Sequence, residues 1–316
     1  MPIFFYQSLN ASCASDRGIA ATNSQRFTRA THNFQAASGT DWRLAMPVAG
    51  PQVPPSVPVH GPAQLVGSAP QGHMAKGNHD INSFLSMVEG KARDTHQHLV
   101  REFGRSCDLL VYGEMDASHG DWHGSRVHTG QLVCAVSTGK ACNSFSVHAN
   151  LSAQHEPLGY GMGWVAVRSG NVNVVFVHVP NSIAKSDDKT VRFYQDINQR
   201  LVAAGKGAID LVMGDTNQGG KDFTRTMVSR AVGSVFANAH TEKGIAPIDA
   251  HNRVFGGTNS NAQQMYDVAV YNTATLSLGR HAYLSQGATV SHGSQNKAAA
   301  ITDHMGLAVE VTRRQI

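Results

Sequence analysis

Four places in the 316-residue chain set a polar side chain with proton-transfer or cation-binding chemistry at the end of an apolar run. CDLLVYGEM ends in Glu114, and VVFVHV carries His178 before breaking at Pro180-Asn181-Ser182. AIDLVMGD ends in Asp215, with Thr216 and Asn217 beyond, and ITDHMGLAVEV opens with Thr302-Asp303-His304 ahead of its apolar stretch. Carboxylates are hard oxygen ligands for divalent cations. Imidazoles give and take protons near neutral pH. Singly, each residue has a structural explanation, because a carboxylate at a strand end is commonly a turn residue or a helix cap. Strand ends gathered at one rim of a sheet are also where loops converge and sites form.

The elements that must position these residues are legible from hydrophobic spacing. Asp80 caps a helix expected over INSFLSMVEGKARDTHQHLVREFG, with Ile81, Phe84, Leu85, Val88, Leu99, Val100 and Phe103 at helical intervals. DDKTVRFYQDINQRLVAAG reads as a second amphipathic helix. CDLLVYGEM, QLVCAV and AIDLVMGD have strand length, WVAVRSGNVNVVFVHV reads as a hairpin folded at Ser169-Gly170-Asn171, and MYDVAVYN and MGLAVEVT close the chain. GYGMG, before Trp164, reads as a flexible lead into a strand. Apolar runs without strict alternation belong to strands buried on both faces. Several hairpins among a few helices imply two packed mixed β-sheets flanked by helices, an α/β (α+β) architecture.

Residues 1–75 differ from the rest, being rich in Ala, Ser, Asn and Thr, with proline dense in PVAGPQVPPSVPVHGPAQ. The expected division is an N-terminal segment, 1–75, partly flexible and supplying at most the first strand, and a folded domain over 76–316. Charged residues are 15% of the chain, against roughly 25% on average, which argues against coiled coils and charge-rich solenoids. A formal charge of +4 permits a polyanionic partner without demanding one. No stretch reaches the roughly 20 apolar residues of a transmembrane helix. The N-terminus lacks a signal-peptide pattern, so the expected location is cytoplasmic, or outside the cell by a signal-peptide-independent route. Four cysteines are too few for a disulfide framework; Cys134 and Cys142 flank a turn and either pair or remain buried thiols.

The order of these pieces resembles the endonuclease/exonuclease/phosphatase superfamily. The matching segments are CDLLVYGEM, VVFVHVPNS, VMGDTNQ, MYDVAVYN and ITDHMGLAVEV, which together cover about two-thirds of the chain from 107 to 311. His155-Glu156-Pro157, ahead of the hairpin that ends at His178, resembles the Arg-Glu-Pro of the DNase I and cytolethal-distending-toxin nuclease branch. The resemblance implies a four-layer α/β/β/α sandwich that is DNase I-like and a metal-dependent phosphodiesterase, an endonuclease cutting DNA with little sequence preference, in the manner of an exported toxin or effector. It implies Mg²⁺ as cofactor, with Mn²⁺ or Ca²⁺ as alternatives, held by Glu114, Asp303 and an asparagine closing the first strand. Asn33 of FTRATHNFQ fits that asparagine best, with Asn10 and Asn78 as alternatives. His178 and His304 are the implied acid and base, Asp215 orients the attacking water, and Asp267 holds the His304 tautomer. Asn217 and His155 are the implied phosphate contacts.

The chain departs from the pattern in three ways. His155 stands in place of arginine, Met305-Gly306 follows His304 where a proline is usual, and no carboxylate on QLVCAV orients His178. Two other readings keep the fold: a sphingomyelinase or lipid phosphatase, with Tyr160, Trp122 and Trp164 as the available aromatics, and an inactive binding scaffold. A zinc cluster of Glu114, His119 and His123 is a further alternative.

Overall fold

The computed structural model describes residues 1–8, 105, 107–114, 131–136, 145–149, 154–219, 222–242, 258, 264–284, 287–292, 295–300, 304 and 306–315. In chain order its strands are β1 (Ile3–Ser8), β2 (Leu109–Gly113), β3 (Gln131–Val136), β4 (Phe145–Ala149), β5 (His155–Gly161), β6 (Trp164–Ser169) and β7 (Val172–His178). They continue as β8 (Leu211–Asp215), β9 (Phe236–Asn238), β10 (Asp267–Asn272), β11 (Leu276–Leu284), β12 (Gly287–His292), β13 (Gln295–Ala300) and β14 (Gly306–Arg313). The described helices are α1 (Asn181–Ala184), α2 (Asp187–Ala203), α3 (Phe223–Val232) and α4 (Ala239–Glu242).

Twelve of the strands form two six-stranded mixed sheets, ordered β11-β14-β1-β2-β4-β3 and β5-β6-β7-β8-β10-β9, while β12 and β13 pair with each other. One parallel pair lies inside each sheet, β1 with β2 and β7 with β8, and every other pairing is antiparallel. The sheets share a core of Phe4, Tyr6, Leu109 and Val111 from one side and Val174, Phe176, Leu211 and Met213 from the other. Because strand side chains alternate faces, Val175, Val177 and Val212 point outward, where they meet Phe193, Tyr194, Ile197 and Leu201 of α2. These helix residues recur at intervals of three and four, the apolar stripe that drives α2 onto the sheet. The Ser186 hydroxyl accepts from Lys189 N at its start, and Asp187 and Asp188 complement the N-terminal dipole. The helix expected over 81–104 lies outside the described residues.

Two features differ from the sequence reading. GYGMG does not lead loosely into a strand: His155–Gly161 is itself edge strand β5, turning at Met162-Gly163 into β6. Three further strands, β11, β12 and β13, lie between the two expected to close the chain. The first described strand is Ile3–Ser8, fully buried and central in its sheet.

Candidate active site

Strand register assembles the site. β1 and β2 run parallel with Ser8 beside Gly113, so both leave their sheet at one rim, where Glu114 follows. In the second sheet His178 stands opposite Asp215 on parallel strands, and antiparallel β10 sets Asp267 opposite Asp215. His304 precedes β14 by two residues and is tied to the end of β1, since the Gln7 side-chain amide donates to its carbonyl at 3.0 Å.

The side chains converge. His178 Nε2 lies 3.4 Å from Asp215 Oδ2, and His304 Nε2 lies 3.6 Å from the same oxygen. His304 Nδ1 is 2.9 Å from Asp267 Oδ2, which also accepts from the Thr258 hydroxyl at 2.8 Å. The Asp267 backbone N–H donates to that hydroxyl at 2.9 Å, so Thr258 fixes the carboxylate from both ends. Beneath, the Tyr283 phenol donates to the Asp267 carbonyl at 3.1 Å. Across the rim the Ser8 hydroxyl donates to Glu114 Oε2 at 2.7 Å. The Asn217 amide N–H donates to Asp215 Oδ1 at 2.9 Å, and its side-chain amide donates to Val179 O at 2.9 Å. Among the described residues, Glu114 (φ 55°) and Asn217 (φ 51°) are the only non-glycines in the left-handed region, and both belong to this rim. Strain of this kind collects at functional sites.

Burial pushes the Asp267 carboxyl up, while His304 and Thr258 pull it back. At His304 burial opposes the charged ring, but the carboxylates of Asp267, Asp215 and Glu114 outweigh it and lift the imidazole to about 10. The two shifts agree in meaning: the His304–Asp267 pair retains a proton at neutral pH. Tyr6, wholly buried, is raised by desolvation and by Asp215, Asp267 and Glu114, so its phenol stays neutral.

Glu114, His178 and Asp215 each offer one ligand atom, all within 4.8 Å of one another, the one group of three or more such residues among those described. Two carboxylates suit a hard divalent cation, and the Ser8 bond leaves the other Glu114 oxygen available to it. The two carboxylates are the donors such a cation would share, which leaves the His178 imidazole beside them for proton transfer. The residues present therefore fit a divalent cation.

Of the expected site residues, Glu114, His178, Asp215, Asn217, Asp267 and His304 share this rim. His155 does not. It pairs with Ser169 at the start of β5, the end of the sheet away from His178. The seven residues of β7 put about 20 Å between those ends. The extra turn at Met162-Gly163 is the cause, since three strands rather than two separate the histidines. Its neighbour Glu156 meets Lys206 and Arg168 at that far end. Asp303, Asn33, Asn10, Asn78, His119, His123 and Cys142 lie outside the described residues, and Cys134 is a free thiol. The strand ending beside Glu114 is β1. Sequence reasoning missed Ser8, Gln7 and Thr258, which are polar residues near apolar runs with no motif of their own.

No family model and no curated protein matches the chain. Among solved structures it is similar to a mannosyl-6-phosphatase of Bacteroides thetaiotaomicron, at 12% identity over 71% of this chain and 91% of that one, TM-score 0.44. It is also similar to an endonuclease/exonuclease/phosphatase family protein of the same organism, at 12% identity over 71% and 89%, TM-score 0.42. A third is the human Nocturnin catalytic domain with bound sulfate, at 10% identity over 73% and 91%, TM-score 0.44. What this site can do follows from its own residues.

Proposed function

We propose that this chain is a divalent-metal-dependent phosphodiester hydrolase and that its substrate is DNA, cut internally with little sequence preference. The observation supporting it is the approach of two imidazoles, His178 and His304, to one buried carboxylate oxygen of Asp215, with Glu114 within cation-sharing reach. Hydrolysis of a phosphodiester adds a water oxygen to phosphorus, breaks one P–O ester bond, and moves one proton from the water to the leaving oxygen. Two proton-transfer groups flanking one anchor meet that requirement.

Asp215 orients the attacking water, held in place by the Asn217 N–H. His304, which retains its proton at neutral pH, delivers it to the leaving oxygen, and His178 takes the water's proton. Asp267 fixes the His304 ring through Nδ1 and steadies the charge it carries. Asn217 spends one amide hydrogen on Val179 O and has the other for a non-bridging oxygen. A cation on Glu114 would supply electrostatic stabilisation of the phosphorane-like charge. A net charge of +4 favours a polyanionic substrate.

Supercoiled plasmid incubated with wild type and with His304→Ala, in Mg²⁺, in Mn²⁺ and in EDTA, tests the proposal. Metal-dependent nicking that falls at least a hundredfold in the variant is the expected result, the lower end of what proton-transfer catalysis supplies, about 10²–10⁴. Plasmid left intact by the wild type under all conditions would overturn it, and release of phosphocholine from liposomes in its place would move the substrate to lipid.

A further inference from the structure

We infer that Gln218 is a positioning residue: its buried side chain, tied to α2 and α3, holds the adjacent Asn217 in the left-handed conformation that presents an amide hydrogen to the substrate phosphate. The phosphate contact rests on the hydrolase reading; the hold of Gln218 on Asn217 rests on geometry alone.

Gln218 is 4% exposed, and both ends of its amide are bonded. Its Nε2 donates to the Thr190 hydroxyl of α2 at 3.3 Å, and its Oε1 accepts from the Thr224 hydroxyl of α3 at 3.0 Å. Its backbone N–H donates to the Thr216 hydroxyl at 3.4 Å, which itself donates to Tyr266 O at 2.9 Å. A buried amide is costly unless its donor and acceptor are both satisfied, so the two helices fix where this side chain lies.

The bonds close into a ring around the segment that leaves His178. Val179 N donates to Asp215 O at 2.9 Å, and Val179 O accepts from the Asn217 side chain at 2.9 Å. Farther along, the Thr190 hydroxyl that receives Gln218 donates to Ile183 O at 3.1 Å, sharing its hydrogen with Ser186 O at 2.9 Å. The side chains of Asn217 and Gln218 thus grip residues 179 and 183, one directly and the other through α2. A non-glycine in the left-handed region persists only where its surroundings over-determine it. For Asn217 (φ 51°) the bond to Asp215 Oδ1 acts from the preceding side, and Gln218 constrains the following side, where Gly219 offers no side chain to share the task. Without that constraint Asn217 relaxes, and its amide turns away from Val179 O and from the phosphate.

Gln218→Met keeps the length of the side chain and removes both amide bonds. We expect kcat/KM for bis(p-nitrophenyl) phosphate to fall about tenfold, part of the roughly 10²–10³ that one lost transition-state donor costs. Coupling identifies the cause. Asn217→Ala should cost about a hundredfold in wild type but only about tenfold in the Gln218→Met background. Its cost should be undiminished in the Thr258→Val background, which acts through Asp267. Thr190→Val should reproduce part of the Gln218→Met loss, and Thr190→Ser, which keeps the oxygen, should stay within about twofold of wild type. If Gln218→Met does not fold, Thr190→Val carries the same coupling test. Amide hydrogen exchange read residue by residue needs no activity: the Asn217 N–H should exchange about tenfold faster in the variant, with Val212 and Met213 of β8 unchanged. Losses that simply multiply between residues 217 and 218, or an Asn217 N–H as protected as in wild type, overturn the inference. A wild type that hydrolyses no diester removes the hydrolase reading, and hydrogen exchange then decides alone whether Gln218 holds Asn217.

Discussion

Asp267 Oδ2 accepts from Thr258 and faces His304 at once, so the acid–base pair is built on a hydroxyl 9 residues away in sequence. Removing that hydroxyl leaves the carboxylate held by its ring partner alone and free to rotate. Thr258→Val should therefore lower kcat about tenfold, equivalent to about 1.4 kcal/mol, with KM for a small diester unchanged. Ser8 plays the corresponding part for Glu114. Ser8→Ala should raise the metal concentration for half-maximal activity about tenfold, the lower end of losses from removing a ligand's hydrogen-bond partner, with full activity recovered at saturating metal. A third residue concerns stability. Burial, with the nearby charge of His240, lowers His281 to about 3 from its ordinary 6.5. Between those values the unfolded chain binds a proton that the folded chain refuses, so stability rises with pH through the window and is lost on acidification. Urea unfolding should show wild type losing about 2 kcal/mol between pH 7 and pH 5 that His281→Gln does not lose.

At the scale of elements, the strands and helices that carry the chemistry were legible because their apolar residues repeat with the period of the element. The hairpin at Gly170 and the helix beginning at Asp187 both sit where the spacing places them. The number of turns between two strands was not legible. GYGMG has the glycines of a flexible connection and equally those of a tight turn, and only pairing with β6 distinguishes them. That one turn moved His155 from one end of the sheet to the other. Glycine positions give the check on close packing. A Cβ on Gly214 would meet the backbone O and N of Val177, atoms that cannot move without breaking the β7–β8 pairing that sets His178 opposite Asp215. A Cβ on Gly170 meets nothing within 4 Å, and only its φ of 58° resists substitution. Gly214→Ala should destabilise by more than about 3 kcal/mol and abolish activity, Gly170→Ala by about 1 kcal/mol with activity intact, read from urea midpoints and plasmid nicking.

For the molecule as a whole, the consequential fact is where β1 lies. Composition separates residues 1–75 from the rest, yet Ile3–Ser8 is the strand between β14 and β2, and every residue in it is buried. Deleting residues 1–8 should leave an insoluble or unfolded chain by circular dichroism, because it removes a central strand and the Ser8 and Gln7 hydrogen bonds together. What the sequence by itself determined was the kind of chemistry and most of its carriers. Glu114, His178, Asp215, Asp267 and His304 each sit at the end of a locally readable apolar run, and local periodicity is a short-range property. What only the tertiary structure decided was which ends share a rim. That depends on register, on parallel or antiparallel pairing, and on bonds such as Ser8 to Glu114 and Gln7 to His304, 106 and 297 residues apart. Such bonds form because β1 pairs with β2 on one side and β14 on the other, and no window along the chain contains both partners.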